Sequence, residues 1–203
     1  MPGMVLERIR VIDATGAWAG PFTTQILGDL GAEVIKVEAI QRIDSWRLFG
    51  QIRPTEEGWW ERSMNYNSVN RNKYNVTLDL GHPRGAEAFK RLVKIGDLVV
   101  ENFTPRVMKN FGLDYPVLKE INPSLIMISM PGWGMTGPWK DYTGFAPSVE
   151  QLSGLSQLTG YADSGPMPCS SALALADPLG GLNAAFALLI ALQHRRQTGR
   201  GQY

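Results

Sequence analysis

The chain has 203 residues, 44% hydrophobic and 19% charged, with a formal net charge of +1. That length can build one sizeable core or two small ones, and the near-neutral balance gives no electrostatic reason to expect nucleic acid or an anionic membrane as a partner. One cysteine, Cys169, excludes an internal disulfide and a cysteine-based metal cluster, and fits a reducing compartment.

Met1 to Arg8 lacks the apolar core of a signal peptide. Ile9 to Ile12 reads as a short strand ending in Asp13, followed by a loop from Ala14 to Pro21. A helix from Pro21 to Leu30 places Phe22, Ile26, Leu27 and Leu30 on one face, and Gly31 stops it. Val34 to Val37 is the next strand, ending in Glu38. A strand–loop–helix–strand unit predicts two parallel strands with a right-handed crossover, and ligands at the carboxyl ends of the strands. The Gly16–Gly20 loop therefore stands at an expected site, although it lacks GxGxxG.

Residues 39–66 read as a surface excursion with one or two short helices. Asn70 to Tyr74 reads as a polar turn, and Asn75 to Leu80 as an alternating strand. A helix opens at His82-Pro83 and runs through Val93. Asp97 to Glu101 is a strand ending at Asn102-Phe103. Short helices follow at Pro105 to Phe111 and Tyr115 to Ile121. Leu125 to Ser129 is a strand running into a Gly/Pro-rich loop, Met130 to Pro138. Strands alternating with helices predict a doubly wound, mainly parallel, Rossmann-like α/β sheet within one domain, residues 1–203.

Leu182 to Leu192 reads as a buried helix, too short for a bilayer, which needs about 20 apolar residues. Ahead of it, Ala172 to Ala176 leads into Asp177-Pro178-Leu179-Gly180-Gly181. Pro178 suits the first helical position, which predicts Asp177 as the N-cap, its carboxylate favoured in ionised form by the helix field. Local sequence leaves two tasks open for Asp177: a cap contributing about 1 kcal/mol, or a nucleophilic carboxylate. The glycines would let a ligand approach closely. After a basic stretch and a glycine stop at Gly199, a further strand is expected beyond Tyr203.

Several segments occur in an order that resembles one family. They are Ala19-Gly20-Pro21, Leu30 to Glu38, Asn70-Arg71-Asn72-Lys73, Val100-Glu101-Asn102-Phe103, Gly132-Trp133-Gly134-Met135-Thr136-Gly137-Pro138, then Asp177 and Thr198-Gly199-Arg200-Gly201-Gln202. Together they resemble the first half of a class III CoA-transferase, a family that includes formyl-CoA and carnitine CoA-transferases and the α-methylacyl-CoA racemases.

The resemblance implies an acyl-CoA:carboxylate CoA-transferase with Asp177 as the catalytic nucleophile, passing through an aspartyl mixed anhydride and an aspartyl-CoA thioester. It implies CoA contacts from Ala17, Trp18, Ala19, Asn102 and Phe103, with Lys73 as phosphate cation and Arg71 and Arg106 behind it. Trp18 departs from the small or amide side chains expected at its position. Acyl-CoA and a carboxylic acid are the implied substrates, with no tightly bound cofactor and no metal. A cytoplasmic homodimer, or pairing with a complementary C-terminal half, is expected, because full-length members form interlocked dimers. The racemase branch carries a base histidine where this chain has Phe145, and a phenyl ring moves no proton. A third reading is a non-catalytic CoA-binding fragment or a subunit of a split enzyme. Trp46, Trp59, Trp60, Trp133, Trp139 and Phe145 would favour a bulky acid if they line the pocket.

Overall fold

The computed structural model describes residues 3–49, 57–167 and 174–203. Cys169 and the Ala172–Leu173 approach to Asp177 lie outside the described residues. In chain order the elements are β1 (Arg10–Ala14), α1 (Ala19–Asp29), β2 (Glu33–Glu38), α2 (Met64–Asn70) and β3 (Lys73–Thr77). Then follow α3 (Pro83–Ile95), β4 (Leu98–Glu101), α4 (Arg106–Asn110), α5 (Tyr115–Ile121), β5 (Ile126–Ser129), α6 (Ala146–Leu152), α7 (Leu155–Leu158) and α8 (Ala176–Thr198). Short 3-10 turns at Ser45–Arg47 and Trp59–Glu61 lie in the excursion after β2.

The sheet has the order β3-β2-β1-β4-β5, and every pairing is parallel. Val11 pairs with Val34 on one side and Leu98 on the other. The central strands are apolar on both faces because helices cover both. Val11, Leu27, Val34, Leu98, Val100, Ile126, Leu188 and Leu192 make the core on the α1/α8 side. Ile12, Phe89, Val93, Val99, Met108, Leu113, Leu118 and Leu125 make the core under α3, α4 and α5. The doubly wound α/β reading is correct.

Three boundaries differ from the sequence reading. Strand β3 begins at Lys73, inside the stretch read as a turn; the reversal is confined to Asn72, at φ 59°. β3 is an edge strand, so Tyr74 is exposed and the polar look of Lys73-Tyr74 hides the extended backbone. Helices α6 and α7 occupy residues where the sequence pattern predicts no element.

The third difference is α8, which runs 23 residues and includes both glycines. It is long and apolar enough to cross a membrane, so length does not exclude a bilayer as the shorter reading did. Here it packs along α1 and β5, burying Gly181, Ala184, Ala185, Leu188, Ala191 and Leu192. Its opposite side exposes Leu179, Leu182, Phe186 and Ile190. Beyond its Gly199 stop (φ 70°), the last residues lie along β5. The Met127 amide donates to the Gln202 carbonyl at 3.0 Å, and the Tyr203 ring stacks on Tyr115 at 5.2 Å.

Candidate active site

The order of the strands reverses between β1 and β4, so a crevice opens at their carboxyl ends, where doubly wound sheets take ligands. From β1 emerges the loop Thr15 to Trp18, and from β4 emerges Asn102-Phe103. The Asn102 side chain joins them: its Oδ1 accepts from the Gly16 amide at 2.9 Å, and its Nδ2 donates to the Gly16 carbonyl at 2.8 Å. The next residue, Ala17, sits at φ 62°, a left-handed conformation that a side chain disfavours. Its amide donates to Asp44 Oδ1 at 3.0 Å, and the same oxygen accepts from the Trp46 amide. Trp18 packs against Trp46 with ring centroids 5.0 Å apart. The loop is thus held by side chains from β4 and from the excursion after β2.

Beneath it lies a buried ionic network that sequence reasoning missed. Asp13, at the end of β1, is fully buried. It accepts from the Thr15 amide at 2.9 Å, the Thr15 hydroxyl, the Thr24 hydroxyl at 2.6 Å and Lys73 Nζ at 3.0 Å. Burial alone would raise its pKa, but the Lys73 and Lys36 ammonium groups and the two hydroxyls outweigh that and hold it at about 2. Lys36, on the neighbouring strand, is 1% exposed; it pairs with Asp44 at 3.1 Å and donates to the Thr15 carbonyl. Glu38 pairs with Arg47, which lies 3.6 Å over the Tyr66 ring. A lysine inside the apolar run Val34-Ile35-Lys36-Val37 was the available signal for this network.

This geometry corrects the expected task of Lys73. Its three N–H bonds go to Asp13, the Pro21 carbonyl and Asn70 Oδ1, and its side chain is 2% exposed. No donor is left for a phosphate. Arg71 is also placed differently: it pairs with Asp29 at 2.5 Å, at the far end of α1, where the amino ends of the strands lie. Arg106 is exposed at the start of α4, three residues past Phe103. The Phe103 amide donates to Glu101, whose carboxyl burial pushes its pKa up.

Asp177 is in the first turn of α8, but it is not the N-cap. The helix begins at Ala176 with Leu175 as cap, so Asp177 and Pro178 are its second and third residues. Pro178 fits there equally well, since the amides of the whole first turn have no intrahelical partner. The Ala176 amide is satisfied by Glu150 of α6, at 2.8 Å. Asp177 is half-buried, and its pKa is raised by burial and by the Glu150 charge. This reverses the expectation that the helix field would favour the carboxylate. One turn further on, Gly181 lies against α1: the Thr23 hydroxyl is 3.1 Å from its carbonyl and 2.9 Å from that of Ala19. This docking carries the first turn of α8 to the loop end of α1. Gly180 has open space where a Cβ would be, whereas Gly181 serves helix packing.

Phe145, where the racemase branch has its base, is exposed at the start of α6; its amide donates to Ser148 Oγ. His82 caps α3, accepting from the Arg84 amide at 3.2 Å. His194 is on α8, roughly 25 Å along the helix from Asp177 at 1.5 Å per residue.

Residues 6–203 match CoA-transferase family III. The beta subunit of succinyl-CoA–L-malate CoA-transferase from Chloroflexus aurantiacus is 43% identical over 198 residues, which is 98% of this chain and 47% of that one. Succinate–glutarate CoA-transferase from Agrobacterium fabrum is 37% identical over 199 residues, 98% of this chain and 49% of that one. The crystal structure of a CAIB/BAIF family protein from Brucella suis superposes with a TM-score of 0.88 at 37% identity, covering 99% of this chain and 52% of that one. The chain spans about half the length of the relatives it matches. By sequence over nearly its whole length and by fold, the chain belongs to CoA-transferase family III.

Proposed function

We propose that this chain carries the nucleophile-bearing part of an acyl-CoA:carboxylate CoA-transferase, with Asp177 as the nucleophile. One observation carries the reading: a half-buried carboxyl in the first turn of α8, one turn ahead of the glycine that docks on α1, in a chain of this family. An Asp177 oxygen attacks the thioester carbonyl carbon, the C–S bond breaks, and its electron pair leaves with sulfur as CoA thiolate. The product is an aspartyl–acyl mixed anhydride. The thiolate then attacks the Asp177 carbonyl carbon, releasing the first acid and leaving an aspartyl-CoA thioester. An acceptor carboxylate reverses the two steps. No proton changes hands, and the acyl group stays activated throughout, which is why a carboxylate suits this task better than a hydroxyl.

Ala17, Trp18, Ala19, Asn102 and Phe103 form the CoA side of the site, and Arg106 is an exposed cation just past Phe103. The acids are small dicarboxylates, as the names of the relatives suggest. The tryptophans argue little for a bulky acid, since Trp133 stacks edge-on with Trp139, and Trp59 with Trp60. A second copy or a complementary C-terminal half supplies the rest of the site, a reading supported by the half-length match.

The test is mass spectrometry of the protein, assembled with that partner, after incubation with succinyl-CoA, glutarate and hydroxylamine. An aspartyl hydroxamate on the Asp177 peptide is expected. Exchange of CoA without any mark on that peptide overturns the assignment.

A further inference from the structure

Glu150 is 4% exposed, a burial that carboxylates rarely tolerate without partners. It lies on α6 and reaches across to α8, where one of its oxygens accepts from the Ala176 amide at 2.8 Å. Ala176 is the first helical residue, and Asp177 is the next. A side chain from a separate helix thus does for α8 what an N-cap normally does, immediately beside the proposed nucleophile.

We propose that Glu150 is a positioning residue for Asp177, fixing the first turn of α8 through the Ala176 amide and setting a second negative charge beside the reacting carboxylate. The proposal rests on Asp177 being the nucleophile and deepens that reading. Burial raises the Asp177 pKa and the Glu150 charge raises it further. The described elements packed most extensively on α8 are α1, α6 and β5. The titratable side chain of α1 is Asp29, at its far end, β5 has none, and α6 has Glu150. Among the described elements, Glu150 is the charge that faces Asp177.

The chemistry gains twice. A more basic carboxylate is a stronger nucleophile. The repulsion between the two charges persists through substrate binding and falls as the C–O bond forms, because the negative charge passes from Asp177 to the thioester oxygen and then leaves on the CoA sulfur. The charge therefore destabilises the state before attack and leaves the adduct alone, which is a differential effect that accelerates the step.

Three variants separate the cap from the charge. Glu150→Gln keeps an oxygen for the Ala176 amide and removes the charge. Its melting temperature at pH 7 should equal or exceed the parent's, the acid limb of adduct formation on Asp177 should move to lower pH, and the plateau rate should fall about threefold for a less basic nucleophile. Glu150→Asp keeps the charge but is one methylene short, so its acid limb should stay in place while melting temperature and rate fall. Glu150→Ala should lose both. An unmoved acid limb in a folded Glu150→Gln protein overturns the proposal. If the parent protein exchanges CoA without marking Asp177, the nucleophile assignment fails instead. The Asp177 carboxyl titration, read by carbon-13 NMR in parent and Glu150→Gln, then still decides whether Glu150 sets its protonation.

Discussion

A Cβ placed on Gly181 would stand 2.9 Å from the carbonyl oxygen of Ala19. Backbone cannot swing aside as a side chain can, so this glycine sets the distance at which α8 meets α1. Gly181→Ala is expected to cost about 1–3 kcal/mol from overpacking. Gly180, where an added Cβ would meet nothing within 4 Å, should behave oppositely, and Gly180→Ala should gain about 0.5–1 kcal/mol of helix stability. Urea denaturation of the two variants checks the contrast.

Asp177→Asn should abolish CoA exchange and leave the fold intact. The sign of its stability effect follows from the raised pKa. A carboxyl raised in the folded state is harder to ionise there than in the unfolded chain, so its charge disfavours folding above its folded pKa. The neutral amide removes that penalty. The melting temperature of the variant at pH 7 should therefore equal or exceed the parent's, and a drop would assign Asp177 a structural task.

Asp13 makes the opposite prediction for acid. Its pKa is lowered from 3.8 to about 2, so its contribution is fully present above about pH 4 and lost as pH falls through 2. The loss amounts to about 2 kcal/mol. A urea midpoint followed from pH 5 to pH 2 should fall across that window, and less steeply in Asp13→Asn.

Lys73 supplies the matching test of its corrected role. Lys73→Ala leaves a buried carboxylate without its closest cation, at a cost of about 3–5 kcal/mol. The KM for acyl-CoA of the folded fraction should hardly change. A raised KM at unchanged stability would return Lys73 to the phosphate.

Asn102→Ala leaves both the amide and the carbonyl of Gly16 without their side-chain partner. The expected loss is about 1–3 kcal/mol of stability, with a rise in KM for acyl-CoA larger than the fall in kcat. Asn102→Asp should be no better, because a carboxylate accepts from the Gly16 amide but has no hydrogen for its carbonyl.

The sheet was legible in the sequence because four of its strands are apolar runs between polar stops, as with Leu98-Val99-Val100 between Asp97 and Glu101. The edge strand slipped because Lys73 looks like a solvent residue, and only its reach to Asp13, 60 residues away, shows otherwise. Asp177 could be found from its family segment and Pro178, yet its exact place in the helix could not. Any first-turn position accepts proline, and the competing cap, Glu150, comes from a helix that the sequence did not announce. Leu152 and Leu158, which should mark the buried faces of α6 and α7, are exposed, so their spacing carried no core signal. The partners of Lys36 were hidden for a related reason: Asp44 sits in an excursion with no periodicity at all.

That aspartate joins three parts of the molecule. Its carboxylate meets the Lys36 ammonium in the sheet, the Trp46 amide in the excursion and the Ala17 amide in the switch-point loop. The excursion and the loop are consequently geared together. A fluctuation that frees the Ala17 amide to exchange with solvent must also loosen Trp46 and strand a buried lysine, so the two segments should breathe as one unit rather than separately.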